Sequence, residues 1–260
     1  MHAFYDNRVM FAGDWHGNVQ WAVSCIDTAA DNGATLIYQL GDFGIWPGLN
    51  GSEYLLCLEA VAAERDVLLV VTLGNHEDYD QVETWPITDD GFIINPEYPH
   101  IWIAQRGQVW EHPGRVVASL GGAFSIDKGT RRPHKSWWPQ EEITMENVET
   151  LRENLAGRRV DLFLSHDFPF GVQPGPHTVF ALPKDLEDES HRQRAVLRRA
   201  VNIAKPELLI HGHWHMPMMG KLVGSDYETI VWGLDADGAN ANVIIADFEA
   251  LFMDNRIEST

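Results

Sequence analysis

Cysteine is scarce in this sequence: Cys25 and Cys57 are the only two, each in an apolar stretch with no second cysteine nearby. That scarcity excludes a disulfide framework and a thiolate metal site. Any metal must therefore be held by nitrogen and oxygen. The opening residues Met1-His2-Ala3-Phe4-Tyr5-Asp6 lack the basic start and long apolar run of a secretory signal, and no apolar stretch is long enough to span a bilayer. The cytoplasm is the expected location. Positive charge is also short, with 19 Lys and Arg against 38 Asp and Glu, a net charge of -19. Such a balance disfavours broad adhesion to nucleic acid or anionic lipid, so neither an extended nucleic-acid surface nor a membrane partner is expected. With no internal repeat, low-complexity tract or clear linker, the 260 residues read as one domain, 1–260, around one substantial core.

What the sequence does contain is a recurring apolar run that ends at a glycine. Residues 8–12 lead into Gly13-Asp14, 35–40 into Gly41-Asp42, and 67–73 into Gly74-Asn75. Each reads as a buried strand with a turn at its end. The intervening stretches 19–32 and 52–66 have helical composition, which gives the βαβαβ alternation of a largely parallel sheet. In such sheets ligands bind beyond the carboxyl ends of the strands, where Asp14, Asp42 and Asn75 all fall.

The pattern loosens over 91–122, where Pro96, Pro99 and Pro113 punctuate short β-type runs and a mixed or antiparallel section is expected. Residues 141–157 read as a polar-faced helix closed by glycine, and 160–165 as a buried strand delivering His166-Asp167. Ser190 with Gln193 predicts a capping box for a basic helix running to about Ala204. Residues 207–210 then form a strand ending in His211-Gly212-His213, and 221–223, 229–232 and 242–248 read as strands completing the second half.

Five clusters of ligand-type residues each follow a predicted strand: Gly13-Asp14-Trp15-His16, Gly41-Asp42, Gly74-Asn75-His76-Glu77, His166-Asp167 and Gly212-His213-Trp214-His215. One such cluster is an ordinary turn or cap; five in register are hard to explain structurally. Glycine lets the chain reverse sharply, so that the next side chain can point into a shared pocket. The spacings Asp14-X-His16 and His213-X-His215 put both side chains on one side of an extended backbone, as chelation of one ion or two adjacent ions requires. Imidazole and carboxylate donors suit manganese, iron or zinc better than calcium or magnesium alone. A carboxylate shared between two ions most naturally comes from a central strand, and Asp42 is the best candidate.

This ordered set, D-X-H, GD, GNHE, H and GHXH from residue 13 to residue 215, resembles the calcineurin-like metallophosphoesterase superfamily. The resemblance implies two divalent ions, with manganese expected ahead of iron or zinc. It implies that Asp14, His16 and His215 hold the first, that Asn75, His166 and His213 hold the second, and that Asp42 bridges them. His76 takes the place of the histidine that contacts the phosphate and protonates the leaving oxygen. The implied fold is a four-layer αββα sandwich of two mixed sheets. Phe43-Gly44 stands after Asp42 where the protein-phosphatase branch has aspartate-arginine, so Ser/Thr protein phosphatase activity is not expected. The sequence is more similar to small bacterial and phage-type members, whose Gly-rich stretch resembles residues 121–127. Two ions roughly 4 Å apart would hold a bridging hydroxide for in-line attack and clamp two phosphate oxygens, with the Asn75 amide assisting. A small phosphodiester or phosphomonoester, nucleotides included, is the expected substrate. A nuclease of the same superfamily and an inactive metal-binding scaffold are the alternatives.

Around this centre the sequence leaves several residues open. Lys128, Arg131 and Arg132, followed by Trp137 and Trp138, could grip a phosphate and stack on a base, or form a surface loop that fills a gap in the core. Arg131 and Arg132 are the substrate-contact candidates. Trp15 and Trp214 sit between ligands and should turn away from the ions. Glu77 is read as a solvated helix-start residue ahead of a histidine-orienting one, Asp167 as a histidine-orienting group or a turn cap. His211 should be buried, while His2, His100, His112, His134, His177 and His191 are read as surface or loop residues, with His177, in the Pro-Gly loop, a candidate to line the mouth of the site. Arg192, Arg194, Arg198 and Arg199 are expected on a solvated helical face beside Glu187 and Glu189.

Overall fold

The computed structural model describes residues 7–172 and 182–253. His2 and His177 lie outside them. The first half alternates as its sequence predicts: β1 (Arg8–Ala12), α1 (Val19–Asp31), β2 (Leu36–Gln39), α2 (Leu49–Arg65), β3 (Leu68–Thr72) and a single turn α3 (Tyr79–Val82). The mixed section supplies β4 (Phe92–Ile94), β5 (Ile101–Ala104), β6 (Gln108–His112) and β7 (Arg115–Leu120). The second half runs α4 (Met145–Leu155), β8 (Leu162–Ser165), α5 (Lys184–Ala204), β9 (Leu208–His211), β10 (Met218–Val223), β11 (Glu228–Gly233) and β12 (Val243–Asp247).

Two six-stranded sheets result, ordered β12-β1-β2-β3-β5-β4 and β10-β11-β9-β8-β7-β6. Period-two alternation along β1 shows why they stack. Val9 and Phe11 face the second sheet, meeting Leu162, Leu164, Leu208 and Ile210, while Met10 and Ala12 face Ala22, Ile26, Leu55 and Leu58 of α1 and α2. On the far side, Phe163 and Leu209 pack against Leu151, Leu197 and Val201 of α4 and α5. Every central strand is thus apolar on both faces, as a buried parallel sheet demands, and the layers are α, β, β, α as the resemblance implied.

Three sequence expectations are corrected. β12 does not complete the second half but returns to the first sheet, antiparallel to β1. The helix expected from 141 begins at Met145, because Thr144 and Asn147 form the capping box and Pro139–Glu141 makes a separate 3₁₀ turn. α5 begins at Lys184, well before Ser190, with Asp185 and Glu187 in the first turn where the helix dipole favours acids. Ser190 is buried mid-helix, and Gln193 instead bonds the Ile143 N–H and the Glu142 carboxylate. No helix among the described residues is long and apolar enough to cross a membrane.

Candidate metal centre

The carboxyl ends of β1, β2 and β3 from one sheet, and of β8 and β9 from the other, open onto one place. Asp14 follows β1, fully buried, its Oδ1 accepting the His213 N–H at 2.9 Å and its Oδ2 lying 3.0 Å from His215 Nε2. His16 Nε2 is 3.8 Å from Asp14 Oδ2 and 3.7 Å from Asp42 Oδ2. One donor atom from each of Asp14, His16, Asp42 and His215 falls within a 4.8 Å group. The other oxygen of Asp42 faces the opposite way, 3.3 Å from His166 Nε2, and that nitrogen is 2.9 Å from Asn75 Oδ1. Asp42 therefore stands between two donor groups. His213 joins the second by its ring, 4.9 Å from that of His166.

The backbone is bent to achieve this. His16, Asp42, His213 and His215 all have left-handed φ, between +46° and +65°, a region that costs non-glycine residues about 1–2 kcal/mol each. Asp66, Ala156 and Lys205 share it only as C-caps of α2, α4 and α5. Away from helix ends, the strain therefore falls on these four candidate ligands and on His134 in the loop before Trp137. Gly41 and Gly212 make the convergence sterically feasible: a Cβ on Gly41 would lie 2.3 Å from His166 Nδ1, and one on Gly212 2.1 Å from Asp14 Oδ1.

Electrostatics follow from packing acids and histidines together. Burial alone would raise the Asp42 carboxyl, but His166, His76 and His213 hold it far below the usual carboxylate range. Burial likewise opposes charge on His166, yet Asp42 and Asp14 raise it to about 10. Its Nδ1 donates to the Leu40 carbonyl at 2.6 Å, which leaves Nε2 facing the centre. The hydrogen bond to Asp14 raises His215 above 6.5, whereas burial lowers His213 and His76. The His76 N–H donates to Asp42 Oδ1 at 3.0 Å, as does that of Asn75.

Several supports had no signal in the sequence. Asn75 Nδ2 donates to Ser125 Oγ at 2.9 Å, Ser125 in turn bonds the buried Glu141, and Arg131 closes the chain on Glu141 Oε1 at 2.8 Å. Asp237 Oδ1 lies 2.8 Å from His16 Nδ1. Glu77 is a correction: rather than a solvated helix-start residue it is fully buried, and its two oxygens accept the Phe43 and Gly74 N–H groups at 2.6 Å. Burial and the Asp42 charge push its carboxyl up to about 8, against the pull of those donors. It ties the loop after β2 to the loop after β3. Asp167 binds the indole N–H of Trp214 at 2.7 Å and its own turn through the Phe168 N–H.

Trp15 is buried against Phe43, turned from the ligands as expected. His211 is buried, and burial lowers it to about 4. His112 is also a correction, being fully buried with Nδ1 2.9 Å from the Tyr38 hydroxyl between the sheets. So is Arg194, which is buried over the Phe168 ring and bonds its carbonyl, because α5 turns this arginine inward. Arg198 bonds the Phe170 and Val223 carbonyls, while Arg192 pairs with Glu189 on the outer face.

Beside the centre is a cavity of about 350 Å³ lined by His16, Trp46, His76, Arg131, Lys135 and Trp138, among others. The Arg131 side chain has only 10% exposure, and its guanidinium is paired with Glu141 and Asp127. Arg132 is exposed and does not line this cavity. Trp138 is packed into the core with one face on the cavity, and the Trp46 indole N–H donates to the His76 carbonyl at 3.1 Å.

Residues 7–217 match the model of the calcineurin-like phosphoesterase family. Among solved structures, TT1561 of Thermus thermophilus is similar at a TM-score of 0.55 and 14% identity, over 94% of this chain and 99% of that one. A dimetal phosphatase from Danio rerio is similar at a TM-score of 0.50 and 12% identity, over 88% of this chain and 87% of that one. At these identities the likeness speaks for the fold. No curated protein matches the sequence.

Proposed function

Since the chain belongs to the calcineurin-like phosphoesterase family, we propose that it hydrolyses small phosphate diesters or monoesters, nucleotides among them, at a centre of two divalent ions in the cytoplasm. Manganese is favoured over iron or zinc. Asp14, His16 and His215 would hold one ion, Asn75, His166 and His213 the other, and Asp42 would serve both. The residues fit that role, because Asp42 turns one oxygen toward His16 and the other toward His166. Bound ions of this kind clamp phosphate oxygens as Lewis acids and activate water near neutral pH.

The observation that carries this reading is that His76 and the ligand His16 open onto the same cavity. A phosphate held at the centre would have its leaving group there, with His76 in reach to give it a proton. Trp46, 38% exposed, offers that group an apolar face, and Lys135 contributes positive charge. A cavity of about 350 Å³ admits a small ester. Ser125 and Glu141 hold the Asn75 amide so that Oδ1 faces the centre.

The acid role is tested by a leaving-group series of aryl and alkyl phosphates with wild type and His76→Ala. Poor leaving groups need the proton, so turnover should fall by about 10²–10⁴ for alkyl esters and far less for 4-nitrophenyl esters. An equal loss across the series would contradict proton donation by His76.

A further inference from the structure

We propose that Asp237 is a positioning residue, whose carboxylate fixes the ring of His16 and thereby the ligand set of one ion. This rests on the two-ion reading above. His16 sits on a left-handed turn with its side chain 30% exposed, so packing alone does not hold the ring. Asp237 Oδ1 takes His16 Nδ1 at 2.8 Å, and Asp237 Oδ2 accepts from Asn18 Nδ2 at 2.7 Å. With a carboxylate on Nδ1, that nitrogen carries the proton and Nε2 keeps its lone pair, aimed at the space it shares with Asp14 Oδ2 and Asp42 Oδ2. A carboxylate behind a ligand histidine also raises its basicity, and loss of such a partner typically weakens metal binding by about 10–100-fold.

Asp237 is itself held in place. In its loop the Asp235 N–H bonds the Ala241 carbonyl at 3.1 Å, and Asn242 Nδ2 bonds the Asp235 carbonyl at 2.7 Å. The same amide bonds the Asp14 carbonyl at 3.1 Å, and Trp21 Nε1 fixes its oxygen at 2.7 Å. One loop between β11 and β12 therefore secures the backbone of Asp14 and the ring of His16 together. It lies beyond the family-matched residues. Burial alone would raise the Asp237 carboxyl, but the bonds from His16 and Asn18 lower it. A mere surface cap for Asn18 would not need its second oxygen on Nδ1.

The test is calorimetric titration of chelator-stripped full-length protein with Mn²⁺, comparing wild type, Asp237→Ala and Asp237→Asn, alongside thermal melts of the metal-free forms. Wild type should take up two ions. Asp237→Ala should weaken one binding event by about 10–100-fold and leave the other within about threefold, and Asp237→Asn, which keeps an acceptor but not the charge, should fall between. Unchanged binding of both ions in Asp237→Ala, with a wild-type melt, overturns the role of Asp237 while leaving the two-ion reading intact. Wild type that binds no ion overturns both. If Asp237→Ala melts early, the isosteric Asp237→Asn decides: weakening of one event supports the role, and equal weakening of both contradicts it.

Discussion

His166 illustrates how one side chain would serve the proton and a metal in turn. Without metal, Asp42 and Asp14 raise its pKa from 6.5 to about 10, so the ring is protonated at neutral pH and pairs with Asp42. That pairing contributes stability fully present below pH 6.5 and lost as pH rises through 10. A metal ligand must be neutral, so an ion entering this position must displace the proton. Apparent affinity at one of the two sites is therefore expected to rise about tenfold per pH unit between about 7 and 9, with proton release visible to an indicator dye. The measurement is Mn²⁺ titration at several pH values in wild type and His166→Ala; affinity flat with pH in wild type would contradict the assignment. The candidate ligand residues stand out in the sequence because each follows a strand and, in most cases, a glycine. Glu77 is not, because its two N–H partners come from the turns after β2 and β3, and only the folded chain brings Phe43 and Gly74 to one carboxylate. Asp237 is not for the same reason: 221 residues separate it from His16, and no motif spans that gap.

At the level of elements, the site depends on strand ends from two sheets meeting without side chains in the way. Gly41 combines a close approach with a left-handed backbone, with φ +99° and a Cβ position 2.3 Å from His166 Nδ1 and 2.8 Å from Gly74 Cα. Gly41→Ala is expected to lower stability by about 1–3 kcal/mol from backbone strain alone, and to weaken Mn²⁺ binding by displacing the His166 ring from the Leu40 carbonyl. A thermal melt paired with a metal titration checks it; a wild-type result in both would mean that the strand ends are looser than the geometry indicates. Strands and helices of the first half are readable because each carries its own periodic apolar pattern and breaker. β12 escapes such a reading because strand composition does not say which sheet a strand joins, and its pairing with β1 links residues near opposite ends of the sequence. The start of α5 escapes it because the capping-box pattern at Ser190 competes with the acidic first turn at Asp185 and Glu187.

Across the whole molecule the net charge is -19, and the candidate centre would concentrate positive charge only with its two ions bound. Such a surface repels polyanions, so an anionic substrate would have to be drawn by bound ions and by Lys135 at the cavity. Both sheets contribute candidate ligands, and the loop before β12 holds the His16 ring and the Asp14 backbone. The central claim is that this assembled centre turns over phosphate esters. Its most direct test is hydrolysis of a bis-aryl phosphate and an aryl phosphate by chelator-stripped protein, with and without Mn²⁺, in wild type and Asp42→Ala. Turnover is expected only with added metal and is expected to vanish in Asp42→Ala, because neither ion keeps its shared carboxylate. Equal turnover with and without metal, or a fully active Asp42→Ala, would contradict a two-ion phosphoesterase.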